Sequence, residues 1–213
     1  MKIWTIEELS SFLDSDIVWR KKELALLKSI AASDNLKLRQ DVIVRSGVAL
    51  LYAHWEVFIK SSSCAYLDYI SKRRLPYERL KSNFVAIKIR HMIGDVSLFN
   101  KFNKRKEIVD FIRTGLNESC ILSSNTINTQ SNLSSEVLRE IISILDLDYS
   151  PFVTKEKLID EQLVSNRNNI AHGRYLSMDL HDYFDLEKEI LVLLSIFKDQ
   201  IDNAAYLKSY LRN

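Results

Sequence analysis

Hydrophobic positions recur at intervals of three and four residues along most of the chain, the spacing of amphipathic helices. Over residues 5–32, Ile6, Leu9, Leu13, Ile17, Leu24, Leu27 and Ile30 form one apolar stripe. Asp14-Ser15-Asp16 offers N-cap chemistry for a break inside it. Ser33-Asp34-Asn35 reads as a turn. A second helix is expected over 36–72, where Val42, Val44, Val48, Leu51, Trp55, Phe58, Ile59 and Leu67 keep helical spacing. It is the longest element and the expected spine of a bundle, with Lys72-Arg73-Arg74 complementing its dipole and Pro76 stopping it.

Two shorter helices follow, over 78–93 and 101–116. Residues 119–135 break the pattern, since 12 of these 17 are Ser, Asn, Thr or Gln. They read as an exposed polar loop in which Cys120-Ile121-Leu122 and Ile127 form a short extended pair. A helix over 134–145 comes next, and Pro151 ends that region. Thr154 is the expected N-cap of a helix running to His172, where Gly173 supplies the left-handed stop. Ser177-Met178-Asp179 caps a last helix over 180–207. The pattern predicts an all-α fold, an antiparallel helical bundle forming one domain over residues 1–213.

Composition agrees. Gly 4 and Pro 2 leave little punctuation for a β-rich fold. A net charge of +2 gives no global attraction for nucleic acid, so any such contact needs a local basic patch. Lys72-Arg73-Arg74 and Lys101 with Lys104-Arg105-Lys106 are the candidates. Two cysteines, Cys64 and Cys120, make no disulfide framework; Cys64 reads as a small core residue. The start of the chain has no signal-peptide pattern. No uninterrupted apolar run of about 18 residues is present. A cytoplasmic protein with no membrane association is expected. No Gly-rich phosphate loop occurs, and four scattered histidines provide no metal-ligand spacing, so no cofactor and no metal are expected.

The chemistry concentrates in Arg167-Asn168-Asn169-Ile170-Ala171-His172-Gly173. His172 falls in the last turn of its helix, where the dipole favours a cation. An imidazole titrates near neutral pH, so it can take a proton from a ribose 2′-hydroxyl or give one to a leaving 5′-oxygen. Arg167 stays charged and can hold two phosphate oxygens, which suits the charge building on a pentacoordinate phosphorus. Asn168, four residues before His172, shares its face and could orient the imidazole or contact substrate. Arg167, five residues before, points about 140° away on a regular helix. A distorted turn or a two-fold partner would bring the pair together, and a symmetric dimer would give a composite site.

The Arg-Asn-x-x-x-His spacing resembles the motif of the HEPN superfamily of helical ribonucleases. Trp19-Arg20-Lys21-Lys22-Glu23-Leu24, the stretch from Leu51-Tyr52-Ala53-His54-Trp55-Glu56 to Phe58-Ile59-Lys60, and Ser131-Asn132-Leu133-Ser134-Ser135-Glu136-Val137-Leu138 look like those of its small stand-alone nucleases. The resemblance implies a helical bundle, a homodimer with the motif at its interface, and metal-independent endoribonuclease activity, with Arg167, Asn168 and His172 catalytic. Members serve in toxin–antitoxin and antiphage defence systems, which implies an antitoxin or defence-system partner. Others are catalytically idle dimerisation or adaptor modules, the alternative reading here. A toxin silenced by a bound partner is a third.

Beside the motif, Arg174 is a candidate RNA contact by position. His54 reads as a hydrogen-bonded tie from the spine to a neighbouring helix, with Glu56 about 200° round from it. His91 and His181 read as solvent-facing. With RNA as substrate, a single-stranded loop is the expected target, because there a 2′-oxygen can reach in-line geometry.

Overall fold

A computed structural model describes residues 2–33, 36–94 and 102–212. The fold is all-α, a helical bundle. Helix α1 spans Ile6–Ser33. Its start is set by a reciprocal capping box: the Glu8 N–H donates to Thr5 Oγ1 (3.1 Å) and the Thr5 N–H to a Glu8 carboxylate oxygen (3.3 Å). Helix α1 passes through Asp14-Ser15-Asp16 without a break. Asp16 is not used as a cap, because its carboxylate accepts from Arg20, Trp19 and Ser61 instead.

Helix α2 spans Lys37–Lys72 and is the spine, packed between α1 and the C-terminal helix. Trp55, Phe58, Ile59, Tyr66 and Leu67 lie fully inside. One 18-residue window reaches a mean hydropathy of 1.4. By length and composition α2 therefore meets the requirement for a membrane span, which the lack of an uninterrupted apolar run argues against. Half of that window is buried in the protein's own core. The helix stops before Pro76, where Arg74 takes a left-handed conformation (φ 49°).

A 3-10 turn, Tyr77–Arg79, precedes α3 (Ser82–Ile93), and α4 spans Phe102–Thr114. Lys101, and Asp34 and Asn35 of the expected turn, lie outside the described residues. The 119–135 segment is not simply exposed. Cys120, Leu122, Ile127 and Leu133 are buried in the core cluster, and Thr126 and Thr129 are buried with them. The expected extended pair does not form within the segment among the described residues. The Cys120 N–H donates to the Leu75 carbonyl (2.7 Å) and the Tyr77 N–H to the Glu118 carbonyl (3.2 Å). Four apolar side chains gain more from burial than a solvated loop would leave them.

Helix α5 (Ser135–Leu145) is capped by Ser134 Oγ and ends on left-handed Asp146. Pro151 ends nothing: it sits in the first turn of the one-turn helix α6 (Ser150–Val153), where its fixed φ is favourable. Thr154 is no N-cap, and Glu156 pairs with Arg139 and accepts from Tyr149 Oη (3.0 Å). The stretch expected as regular helix is π-helical over Leu158–Ser165 and returns to α only in α7 (Asn166–Ala171). The widened turn brings Ile159, Leu163 and Val164 all into the core. Such segments are rare and occur often at functional sites. Helix α8 spans Leu180–Tyr206, with Asp179 accepting from the Asp182 N–H (2.8 Å).

Candidate functional site

Helix α7 packs against the middle of α2 and carries the Arg167–His172 segment. Its end is a Schellman motif: the Gly173 N–H donates to the Ile170 carbonyl (3.0 Å) and the Arg174 N–H to the Asn169 carbonyl (2.8 Å). Gly173 supplies the required positive φ of 71°. His172 is the C-cap residue and is exposed.

Arg167 is built in rather than waving. Its guanidinium lies 4.0 Å over the Tyr52 ring. Nη1 donates to Asn168 Oδ1 (2.8 Å), and Nη2 donates to the Ser131 carbonyl (3.1 Å). Glu56 Oε2 stands 3.9 Å from Nη2. The Arg167 side chain keeps 26 % of its surface exposed against 17 % for Glu56, so the pair sits at the rim of the core rather than within it. Tyr52 and Glu56 are one helical turn apart on α2 and so share a face. Burial pushes the Tyr52 phenol up to about 12, although the Leu133 N–H donates to its oxygen (2.9 Å). The ring under Arg167 is therefore neutral, as a cation–π platform should be.

The polar loop completes this site. Thr129 Oγ1 donates to Glu56 Oε1 (2.6 Å), and Asn168 Nδ2 donates to Asn132 Oδ1 (3.1 Å). Between them, Gln130 and Ser131 are both left-handed, with φ of 55° and 54°. Consecutive non-glycine residues in that region carry strain of order 1–3 kcal/mol each.

Asn168 thus engages Arg167 and Asn132; of the two roles expected of it, orienting the imidazole or contacting substrate, no hydrogen bond serves the first among the described residues. Among the described residues no hydrogen bond joins Arg167 to His172, in keeping with their angular separation on a helix. Arg174 is exposed, its carbonyl accepting from Arg45 Nη1 (2.7 Å) and its own Nη1 reaching Asn169 Oδ1 (3.4 Å). Tyr175 beside it is 81 % exposed. Of the basic clusters, Lys72 stands 3.9 Å from Asp68 and 5.1 Å from the Trp4 ring, and Arg73 donates to the Trp4 carbonyl. Lys104 pairs with Glu107 (2.8 Å).

His54 and Glu56 diverge as their spacing requires. His54 faces α1, with Nδ1 3.1 Å from Arg20 Nη1 and Nε2 2.9 Å from Glu23 Oε2. A guanidinium only donates, so Nδ1 is the acceptor and the neutral ring carries its proton on Nε2. His91 Nε2 lies 3.2 Å from Thr126 Oγ1, and His181 is paired with Asp185 (3.2 Å) and exposed. Cys64 is half-buried and Cys120 buried. The residues that the periodicity does not single out are Tyr52, Thr129, Ser131 and Asn132. Their signals are that Tyr52 and Glu56 put a phenol and an acid on one face of an otherwise apolar spine, and that Tyr52, Ser131 and Asn132 lie in stretches that resemble those of the HEPN nucleases.

A family model, RiboL-PSP-HEPN, matches residues 15–203. No curated protein and no solved structure matches the chain. HEPN domains are in general RNase-related. The matched span takes in α1 from Ser15 onward, all of α2, the Arg167 site and nearly all of α8, and the chain belongs to the RiboL-PSP-HEPN family.

Proposed function

We propose that the protein is an endoribonuclease that needs no metal, acting as a homodimer in which Arg167 and His172 are the catalytic residues. In one step the ribose 2′-oxygen attacks phosphorus and the P–O5′ bond breaks, leaving a 2′,3′-cyclic phosphate and a 5′-hydroxyl. His172 takes the 2′-proton or delivers one to the 5′-oxygen. Arg167 holds the non-bridging oxygens as charge builds on them. One observation carries this reading: the motif arginine is fixed at the rim of the core near the start of a short helix, while the motif histidine stands exposed as the C-cap at the other end of that helix.

That separation is what a composite site requires, and α2 offers a face to make it. Leu38 (78 %), Val42 (57 %) and Val57 (50 %) are exposed along one stripe. On an ideal helix this stripe lies about 40° to 140° round from Tyr52, on the same side as Glu56. A two-fold pairing there would bring two copies of the motif to one seam. Arg174 and the exposed Tyr175 ring suit a backbone phosphate and an unstacked base of single-stranded RNA. The same apolar stripe favours a second reading, an adaptor module that docks a partner and performs no chemistry. A toxin–antitoxin or antiphage setting, with a partner restraining the nuclease, belongs to the first.

The deciding experiment is cleavage of bulk RNA and a tRNA pool in EDTA by the native protein, His172→Ala and Arg167→Ala. Cyclic-phosphate ends formed by the native protein and lost in both variants are the expected result. Native protein that forms a folded dimer yet leaves RNA intact would hand the site to the adaptor reading.

A further inference from the structure

A guanidinium lowers a phosphoryl-transfer barrier only if its direction is settled before the reaction, since reorienting it during the step would cost what it contributes. Arg167 projects from a six-residue helix and is partly exposed, so α7 alone cannot settle it. Its direction comes from three supports: the Tyr52 ring, Asn168 Oδ1 and the Ser131 carbonyl, with Glu56 facing Nη2. Each support is itself held by residues 129–133.

An asparagine amide can present either end to a neighbour. Asn168 presents its oxygen to Arg167 because its nitrogen is engaged by Asn132 Oδ1 (3.1 Å). A glutamate can rotate its carboxylate. Glu56 keeps Oε2 toward Arg167 because Oε1 accepts from Thr129 Oγ1 (2.6 Å). Tyr52 is fixed by the Leu133 N–H on its oxygen (2.9 Å). The turn that supplies these groups closes through the Asn132 N–H on the Thr129 carbonyl (3.0 Å).

Anchoring the loop does not need the two polar side chains. Leu133 is fully buried, and its carbonyl already accepts from Trp55 Nε1 (3.1 Å). Two of the five N–H donors of Arg167 are spent on Asn168 and Ser131, and its side chain keeps 26 % of its surface exposed.

We propose that Asn132 and Thr129 are positioning residues of this site, Asn132 aligning Arg167 through Asn168 and Thr129 aligning it through Glu56. The inference rests on the nuclease reading above. It makes the polar loop part of the catalytic apparatus, acting on the arginine and not on substrate affinity.

The test is a double-mutant cycle on cleavage of a short single-stranded RNA in EDTA. Asn132→Ala and Thr129→Val are each made in the native chain and in an Arg167→Lys chain, whose ammonium has no fork to align. In the native chain each substitution should lower kcat about ten-fold with KM within about two-fold, the signature of a lost transition-state contact. In the Arg167→Lys chain the same substitutions should change kcat by less than about two-fold. Thr129→Ser, which keeps the hydroxyl, should restore near-native kcat. Full and equal losses in both backgrounds would overturn the proposal, as would a rise in KM alone or losses that follow a fall in melting temperature. Native protein that does not cut RNA at all defeats the nuclease reading and the positioning role together. Native cleavage with equal losses defeats only the latter.

Discussion

Two arginines meet the α2 spine from opposite sides, and the protein treats them differently. Arg20 has a side chain only 4 % exposed, and its Nη2 donates to both oxygens of Asp16 (3.0 and 3.2 Å). His54 sits against it, and the Trp19 and Phe58 rings lie 4.6 and 5.8 Å from its centre. Arg167 also lies on an aromatic ring, but its one carboxylate is 3.9 Å away and its hydrogen bonds go to a neutral amide and a carbonyl. A cation held in two-point contact by its counter-ion has its field cancelled locally. A cation held in direction by neutral acceptors keeps most of its charge for an incoming anion. Composition does not separate these roles, and neither does sequence distance from α2. The geometry of neutralisation does.

The comparison breaks most visibly by deleting each cation. Arg20→Ala leaves the mostly buried Asp16 carboxylate without its counter-ion, with only Trp19 and Ser61 still donating to it, and should lower the unfolding free energy by about 3–5 kcal/mol, read from the urea midpoint. Arg167→Ala should cost less than about 1 kcal/mol by the same measurement, as for rim-exposed ion pairs. It should nevertheless slow RNA cleavage by about 10²–10³-fold, the usual loss on removing one charge-stabilising donor. If Arg167→Ala proves as destabilising as Arg20→Ala, the two sites are both structural and the contrast is void.

How far the two sites can be read from sequence follows the same line. The helices are legible because apolar spacing is local, and Gly173 marks the end of α7 because a left-handed stop there needs no distant partner. Arg167 and His172 are legible as a spaced pair. What is not legible depends on residues far apart in the chain. The Asp14-Ser15-Asp16 break fails to form because Ser61, 45 residues on, and Arg20 take the Asp16 carboxylate. Glu56 belongs to the Arg167 site because Thr129, 73 residues away, turns it there. The polarity of residues 119–135 argues for solvent. The five apolar side chains among them, four of them buried, and the acceptors of α7 decide otherwise. The π segment likewise answers a packing demand, two adjacent residues both needing the core, that helical periodicity cannot express.

A pH titration sharpens the contrast, because only the Arg20 cluster contains a buried titrating base. Burial, and then the Arg20 guanidinium, lower the His54 pKa below its ordinary 6.5, with Glu23 and Asp16 opposing them. Between the lowered folded value and 6.5, the unfolded chain binds more protons than the folded one, so stability rises with pH across that window. The contribution is complete above about pH 6.5 and fades as pH falls toward the folded value. Urea midpoints measured from pH 7.5 down to 5 (about two and a half units spanning the imidazole range) should decline for the native chain. In His54→Gln that part of the decline should be absent. An unchanged slope in His54→Gln would assign it to carboxylates elsewhere.

The smallest expected effect lies in the loop that holds Arg167. Ser131 delivers its carbonyl to Nη2 from a left-handed conformation at φ 54°, where a Cβ crowds the following carbonyl at a cost of about 1–2 kcal/mol. Ser131→Gly removes that crowding while leaving the carbonyl in place. It also frees the unfolded chain by about 0.5–1 kcal/mol, so the net gain should be about 0.5 kcal/mol, visible as a slightly higher melting temperature. The contact to Arg167 is made by backbone, so cleavage should persist. A melting temperature lower than native would mean that the serine side chain, not the backbone conformation, holds the turn. Arg167 would then owe its direction to a contact as sequence-specific as the Asp16–Arg20 pair.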